Sequence, residues 1–101
     1  MIDLVSANEI VDGHHVRAWT GVATDEGVGL ICLVEVSDAA GRQLCRFEEF
    51  LHASTQQRHP SWSGSDREVA IRLQRRALDR ARTAVTADTL VQLHGHRFDV
   101  P

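Results

Sequence analysis

Between Asp66 and Val85 the apolar residues recur at helical spacing. Val69, Ala70, Leu73, Ala77, Leu78, Ala81, Ala84 and Val85 fall on one broad face. A helix of this kind is stable only when that stripe is buried against a second layer. Half of the stripe is alanine, so the helix can approach its layer closely. Ser65 and Glu68 mark the start as a capping box, a serine N-cap with a glutamate three residues on. The opposite face is polar and carries Glu68, Arg72, Arg75, Arg76, Asp79 and Arg82. Six of the chain's eleven basic residues lie in this stretch, all of them arginine: Arg67, Arg72, Arg75, Arg76, Arg80 and Arg82.

The preceding residues supply the second layer. His14 to Thr24 alternates as a strand, with Val16, Ala18, Thr20 and Val22 on one face and Arg17, Trp19 and Ala23 on the other. Val28 to Val36 is a nearly unbroken apolar run, expected to be central in its sheet. Gln43 to Leu51 is a third strand, with Cys45, Phe47 and Leu51 opposed to Leu44, Arg46, Glu48 and Phe50. The joins at Asp25-Glu26-Gly27 and Asp38 to Gly41 are short enough for hairpins, so the strands form an antiparallel meander. Asp12-Gly13 is a further turn signal, and residues 2–11 read as a short strand or a mobile arm. Residues 52–65 are a polar loop. After the helix, Thr89 to Leu93 reads as a short strand and the remainder to residue 101 as a tail. The fold class expected is α+β: a three- or four-stranded antiparallel β-meander with one long amphipathic helix packed on one face.

At 101 residues the chain is expected to be one domain. Its apolar fraction of 43% and charged fraction of 25% are ordinary for a soluble globular protein. No apolar run approaches membrane-spanning length, and Met1 to Val11 has no basic residue to flank a signal sequence. A cytoplasmic location is expected. Cys32 and Cys45 both fall in strands and could face each other across a hairpin, but free thiols are expected in that compartment. The strand–strand–strand–helix order resembles that of double-stranded-RNA-binding domains. The basic loop and lysine-rich helix start that carry RNA binding in those domains are absent, because this chain has no lysine.

Charge is distributed unevenly. Residues 1–57 hold nine of the fourteen acids, and the formal net charge is −3. A negative chain is poorly suited to a dedicated nucleic-acid role, which depends on neutralising phosphates. Arg72, Arg75, Arg76 and Arg82 on the helix are candidates to dock on carboxylates or phosphates, since guanidinium serves both. The competing expectation is a solvated face paired within the helix or with the sheet's own acids. Asp25, Glu26 and Asp38 at hairpin tips are candidates to meet a basic partner. Trp19 and, in the loop, Arg58 and Trp62 are residue types that anchor interfaces, although Trp62 is also placed to pack as a lid before the helix.

Catalytic and metal signals are weak. No Cys-x-x-Cys, His-Glu-x-x-His or glycine-rich phosphate loop is present. His94 and His96 are the best-spaced ligands, with His14, His15 or a cysteine to complete a set. Cys45 with His52, or Ser54 with His59, lacks a third orienting group. Glu48 and Glu49 are adjacent on a strand and so point to opposite faces. No catalytic residue, cofactor or metal is assigned. The function expected is a non-enzymatic binding protein acting by protein–protein contact, an inhibitor or adaptor of the kind a phage uses against a host defence complex. The alternative is a nucleic-acid-binding module using the arginine-rich helix. A homodimer through the sheet face that no helix covers is the expected assembly.

Overall fold

The structure is a computed structural model that describes residues 1–24 and 28–101. Among these residues five strands form one sheet in the order β1-β2-β3-β4-β5: β1 Ile2–Val11, β2 His14–Val22, β3 Gly29–Ser37, β4 Gln43–His52 and β5 Arg97–Asp99. The first four are an antiparallel meander, while β5 lies parallel to β4. Between β4 and β5 run a short helix α1 (Ala53–Arg58), a single 3-10 turn at Pro60–Trp62, the long helix α2 (Asp66–Ala87) and a one-turn helix α3 (Leu90–Leu93). A parallel neighbour needs such a crossover, and α2 supplies it.

Local chemistry accounts for the joins. Asp12 and Gly13 both take positive φ, 46° and 77°, the backbone of a two-residue hairpin turn that suits the twist of β1 and β2. Asp38 closes the β3–β4 turn by accepting from the backbone N–H of Ala40 at 3.0 Å and of Arg42 at 2.9 Å. Ser65 caps α2 by accepting from Glu68 N at 3.2 Å. Asp88, left-handed at φ 56°, ends it by donating to the Ala84 and Val85 carbonyls.

All eight residues of the expected apolar stripe on α2 are buried, and Gln74 is buried with them. They close over Val16, Ala18, Val34, Val36, Phe47 and Leu51 on the facing side of the sheet. Four expectations change. The sheet has five strands rather than three or four, because residues 2–11 form a full edge strand and residues 97–99 add the parallel one. Thr89 to Leu93 is not a strand: Leu90–Leu93 makes a helical turn whose Leu90 and Leu93 pack on the core. The loop after β4 contains α1 and the 3-10 turn. Finally, the two cysteines do not face each other. Cys32 stands opposite Glu49 and Cys45 opposite Val36, and both are free and buried. Among the described residues no helix is long and apolar enough to cross a membrane.

Candidate functional site

Beneath α2 a polar row crosses the sheet. Thr20 on β2, Cys32 on β3 and Glu49 on β4 are register partners, all on the helix-facing side and all with no solvent exposure. Thr20 Oγ1 donates to Gln74 Oε1 at 3.0 Å. Glu49 receives one guanidinium on each oxygen, Arg76 Nε to Oε2 at 3.0 Å and Arg80 Nε to Oε1 at 2.5 Å. Arg80 also lies 3.9 Å over the ring of Phe98, the β5 partner of Glu49. Burial pushes the Cys32 thiol from 9.0 up to about 12, opposed by the neighbouring Thr20 hydroxyl and aided by the Glu49 charge. Burial likewise pushes Cys45 up to about 11. A thiol held protonated in this way is a poor nucleophile. The row joins the layers, linking β2 and β4 to α2 through Gln74, Arg76 and Arg80. Its sequence signal is parity: Glu49 falls among Cys45, Phe47 and Leu51, the apolar series of β4, where an acid is out of place.

The helix arginines divide into two groups. Arg76 and Arg80 are held by Glu49. Arg82 grips Glu9 of β1 through two bonds of 2.9 Å and Asp79 at 2.7 Å. These contacts, Glu9 first, raise its pKa further. Arg72 donates to the Ser61 carbonyl at 2.7 Å and lies 3.9 Å from Glu68. Of the named candidates, Arg72, Arg76 and Arg82 are therefore engaged within the chain. Arg75 is exposed, and so is Arg67, which sequence reasoning passed over. Among the described residues neither makes an ion pair or a hydrogen bond. The available signal for Arg67 was the lack of an acid three or four residues further along the helix.

Among the described residues no helix lies over the far side of the sheet. Trp19 and Leu33 are register partners there, both half-buried. Ile31 and Phe50 are buried beside them, with the Arg97 guanidinium 4.9 Å over the Phe50 ring. A shallow hollow of about 170 Å³ sits on this face, bordered by Met1, Ile31, Leu33, Glu48 and Arg97. The next row alternates in charge, with Arg17, Glu35 and Arg46 in register and both arginines exposed. At the β1 edge a larger groove of about 610 Å³ is bordered by Trp19, Asp3 to Ser6, Arg67, Ile71 and Gln74.

The remaining candidates are scattered. Asp38 is partly exposed, and its carboxylate is committed to its own turn. The Arg42 and Ala40 backbone donors, with the Arg42 side chain 3.3 Å away, hold it below the usual range. Trp62 is half-buried against the main core, and the exposed Arg58 reaches Thr55 at 3.5 Å. Asp25 and Glu26 lie outside the described residues. His94 Nδ1 accepts from Arg46 N at 3.1 Å, His96 stacks on Phe98, and His52 lies 3.5 Å from Asp99. Among the described residues no group of three or more histidines, cysteines or acids is placed to hold a metal.

The arrangement defines an α+β class: a mostly antiparallel five-stranded sheet, one face closed by a long helix whose Arg76 and Arg80 hold one buried carboxylate, the other face without a helix among the described residues. A scan of protein-family models found no match, and neither did searches of curated proteins and of solved structures.

Proposed function

We propose that the chain is a non-enzymatic binding protein that acts through protein–protein contact, as a small inhibitor or adaptor. The observation that carries this reading is Trp19: a half-buried tryptophan on an uncovered sheet face, beside Leu33 and flanked by the exposed Arg17. Tryptophan and arginine are the side chains that dominate interface energetics when water is excluded around them. An apolar centre bordered by a row of alternating charge also fits the layout of a protein interface, which has a desolvated middle and a polar rim.

The nucleic-acid alternative rests on fewer groups than the arginine count suggests. Four of the six helix arginines are bound to Glu49, Glu9, Asp79, Glu68 or the Ser61 carbonyl, which leaves Arg67 and Arg75 to meet phosphates. The test is capture of a partner from the native host's lysate by the immobilised chain, with and without nuclease, alongside Trp19→Ala. One dominant protein that survives nuclease and is lost with Trp19→Ala is the expected result. Recovery that collapses with nuclease, or that ignores Trp19, overturns the proposal.

A further inference from the structure

The edge of the sheet at β1 combines three features. First, β1 pairs only with β2, so alternate residues direct their backbone N–H and C=O groups outward, where no described residue meets them. The strand is ten residues long, contains no proline, and exposes Ile2 by 61% and Ile10 by 70%. Edges of this kind are normally guarded by a bulge or a charge. Here the bulge is confined to Leu4, between Asp3 and Val5, and Val5 to Val11 runs in regular register. The acid within that run, Glu9, is neutralised by the two-point grip of Arg82.

Second, α2 runs alongside β1 in the same sense. Ile71 and Gln74 share a groove with Asp3 to Ser6 at one end, and Arg82 reaches Glu9 at the other. A strand added outside β1 would therefore lie along the helix flank that carries Arg67, Ile71 and Arg75. Third, that flank has a definite chemistry. Ile71 is 37% exposed, and the arginines four residues to either side of it have no partner among the described residues. Four helical residues rise about 6 Å, and two strand residues about 6.6–6.8 Å. The three helix positions thus match alternate side chains of an extended chain.

We infer that the β1 edge is a strand-addition site for an extended acidic segment of the pattern acid–x–apolar–x–acid, its carboxylates meeting Arg67 and Arg75 and its apolar residue covering Ile71. The inference rests on the protein-contact reading and specifies one surface and one class of partner for it. A second copy of this chain is a poor occupant. Two β1 strands paired antiparallel would bring the two Arg67–Arg75 flanks toward each other, with like charges across the seam.

The test uses the full chain and two capped seven-residue peptides, Thr-Glu-Thr-Val-Thr-Glu-Thr and the same sequence with lysine for glutamate. Each is titrated to millimolar concentration at low salt while backbone amide exchange is followed. The glutamate peptide is expected to bind and to slow exchange at alternate residues between Val5 and Val11; the lysine peptide is expected to do neither. Arg67→Glu with Arg75→Glu, both at exposed positions, is expected to weaken the glutamate peptide by about tenfold and to admit the lysine peptide. Unchanged amide exchange in β1, or an unaltered preference in the charge-reversed chain, overturns the inference. So does slowing that appears with protein concentration alone, which would assign the edge to a second copy, or displacement of the peptide by a single-stranded oligonucleotide at equal charge. Failure at the edge while Trp19-dependent capture of a host protein persists removes the strand-addition site and leaves the protein-contact reading standing.

Discussion

Glu49 and Arg76 are joined across the sheet–helix interface, Arg76 Nε 3.0 Å from an Oε2 that has no contact with solvent, and the second oxygen of the same carboxylate is taken by Arg80. The arginines themselves remain partly exposed, 42% and 32% at the side chain. Each gives its Nε–H to the buried acid while part of its side chain stays in water. One net positive charge is left on this flank, already committed to a bond within the chain. The geometry makes Glu49 the group at risk, since a buried carboxylate without a partner is far costlier than an arginine released into water.

Truncating the two arginines should therefore be strongly non-additive. Arg76→Ala or Arg80→Ala alone leaves one guanidinium on Glu49 and is expected to cost about 1–2 kcal/mol, the scale of a charged hydrogen bond. The double substitution strands the carboxylate and is expected to cost about 4 kcal/mol or more, beyond the sum of the singles. Urea unfolding of the four proteins in the cycle measures the coupling. An additive result would mean that Glu49 is hydrated or neutral once either arginine is gone.

The thiols give a prediction at alkaline pH. Cys32 is held protonated up to about 12, against 9.0 for an unburied thiol, first by burial and then by the charge of Glu49. A group whose pKa is raised on folding contributes stability that is complete below the unfolded value. That stability is lost as pH rises from the unfolded value toward the folded one. Unfolding free energy should accordingly decline between pH 9 and pH 12, and Cys32→Ala should flatten the decline. At pH 8 the native chain should react with a thiol reagent only at the rate at which it opens, and at once in denaturant. Rapid modification of the native protein at pH 8 would contradict the placement of both thiols.

At acid pH the informative group is Asp38. The Arg42 and Ala40 backbone donors, helped by the Arg42 charge, hold its carboxyl below the usual aspartate range. Stability from a depressed carboxyl is present above the unfolded pKa and disappears as pH falls through the folded one. Carboxyl chemical shifts followed by NMR should show Asp38 protonating below the ordinary aspartate range. Asp38→Asn, which keeps an acceptor for the turn, should disturb the β3–β4 hairpin less than Asp38→Ala.

The main elements were legible because their periodicity is strong. Eight apolar residues at helical spacing, a capping box at Ser65 and Glu68, and strict alternation in β2 and β4 each point one way, and the structure agrees with them. β5 was not legible. Arg97–Asp99 is three residues with no pattern of its own. It is held by what β4 offers, through Glu48 N to the His96 carbonyl at 3.0 Å and Val100 N to the Phe50 carbonyl at 2.9 Å. The division of the arginines was hidden for a related reason. Whether Arg75 or Arg76 is free depends on which sheet residue lies under each, and that follows from how α2 lies on the strands rather than from spacing along the helix. Glu49 shows where closer reading was available, since its parity alone placed it in the core.

The proposed contact face and the core should separate cleanly under mutation. Leu73 is fully buried beneath α2. Leu73→Ala is expected to cost about 2–5 kcal/mol through lost transfer energy and the cavity left behind. Chain that remains folded should still retain its partner, because the outer face of the sheet is unchanged. Trp19 is half-exposed on the opposite side, so Trp19→Ala forfeits only part of its burial energy, about 1–2 kcal/mol. Partner capture should nonetheless fall at least tenfold, the scale of an interface anchor. Thermal unfolding and partner capture measured on both variants decide the matter. A Trp19→Ala chain that melts as low as Leu73→Ala would make Trp19 a structural residue, and loss of capture in both would mean that the contact requires the intact core rather than this face.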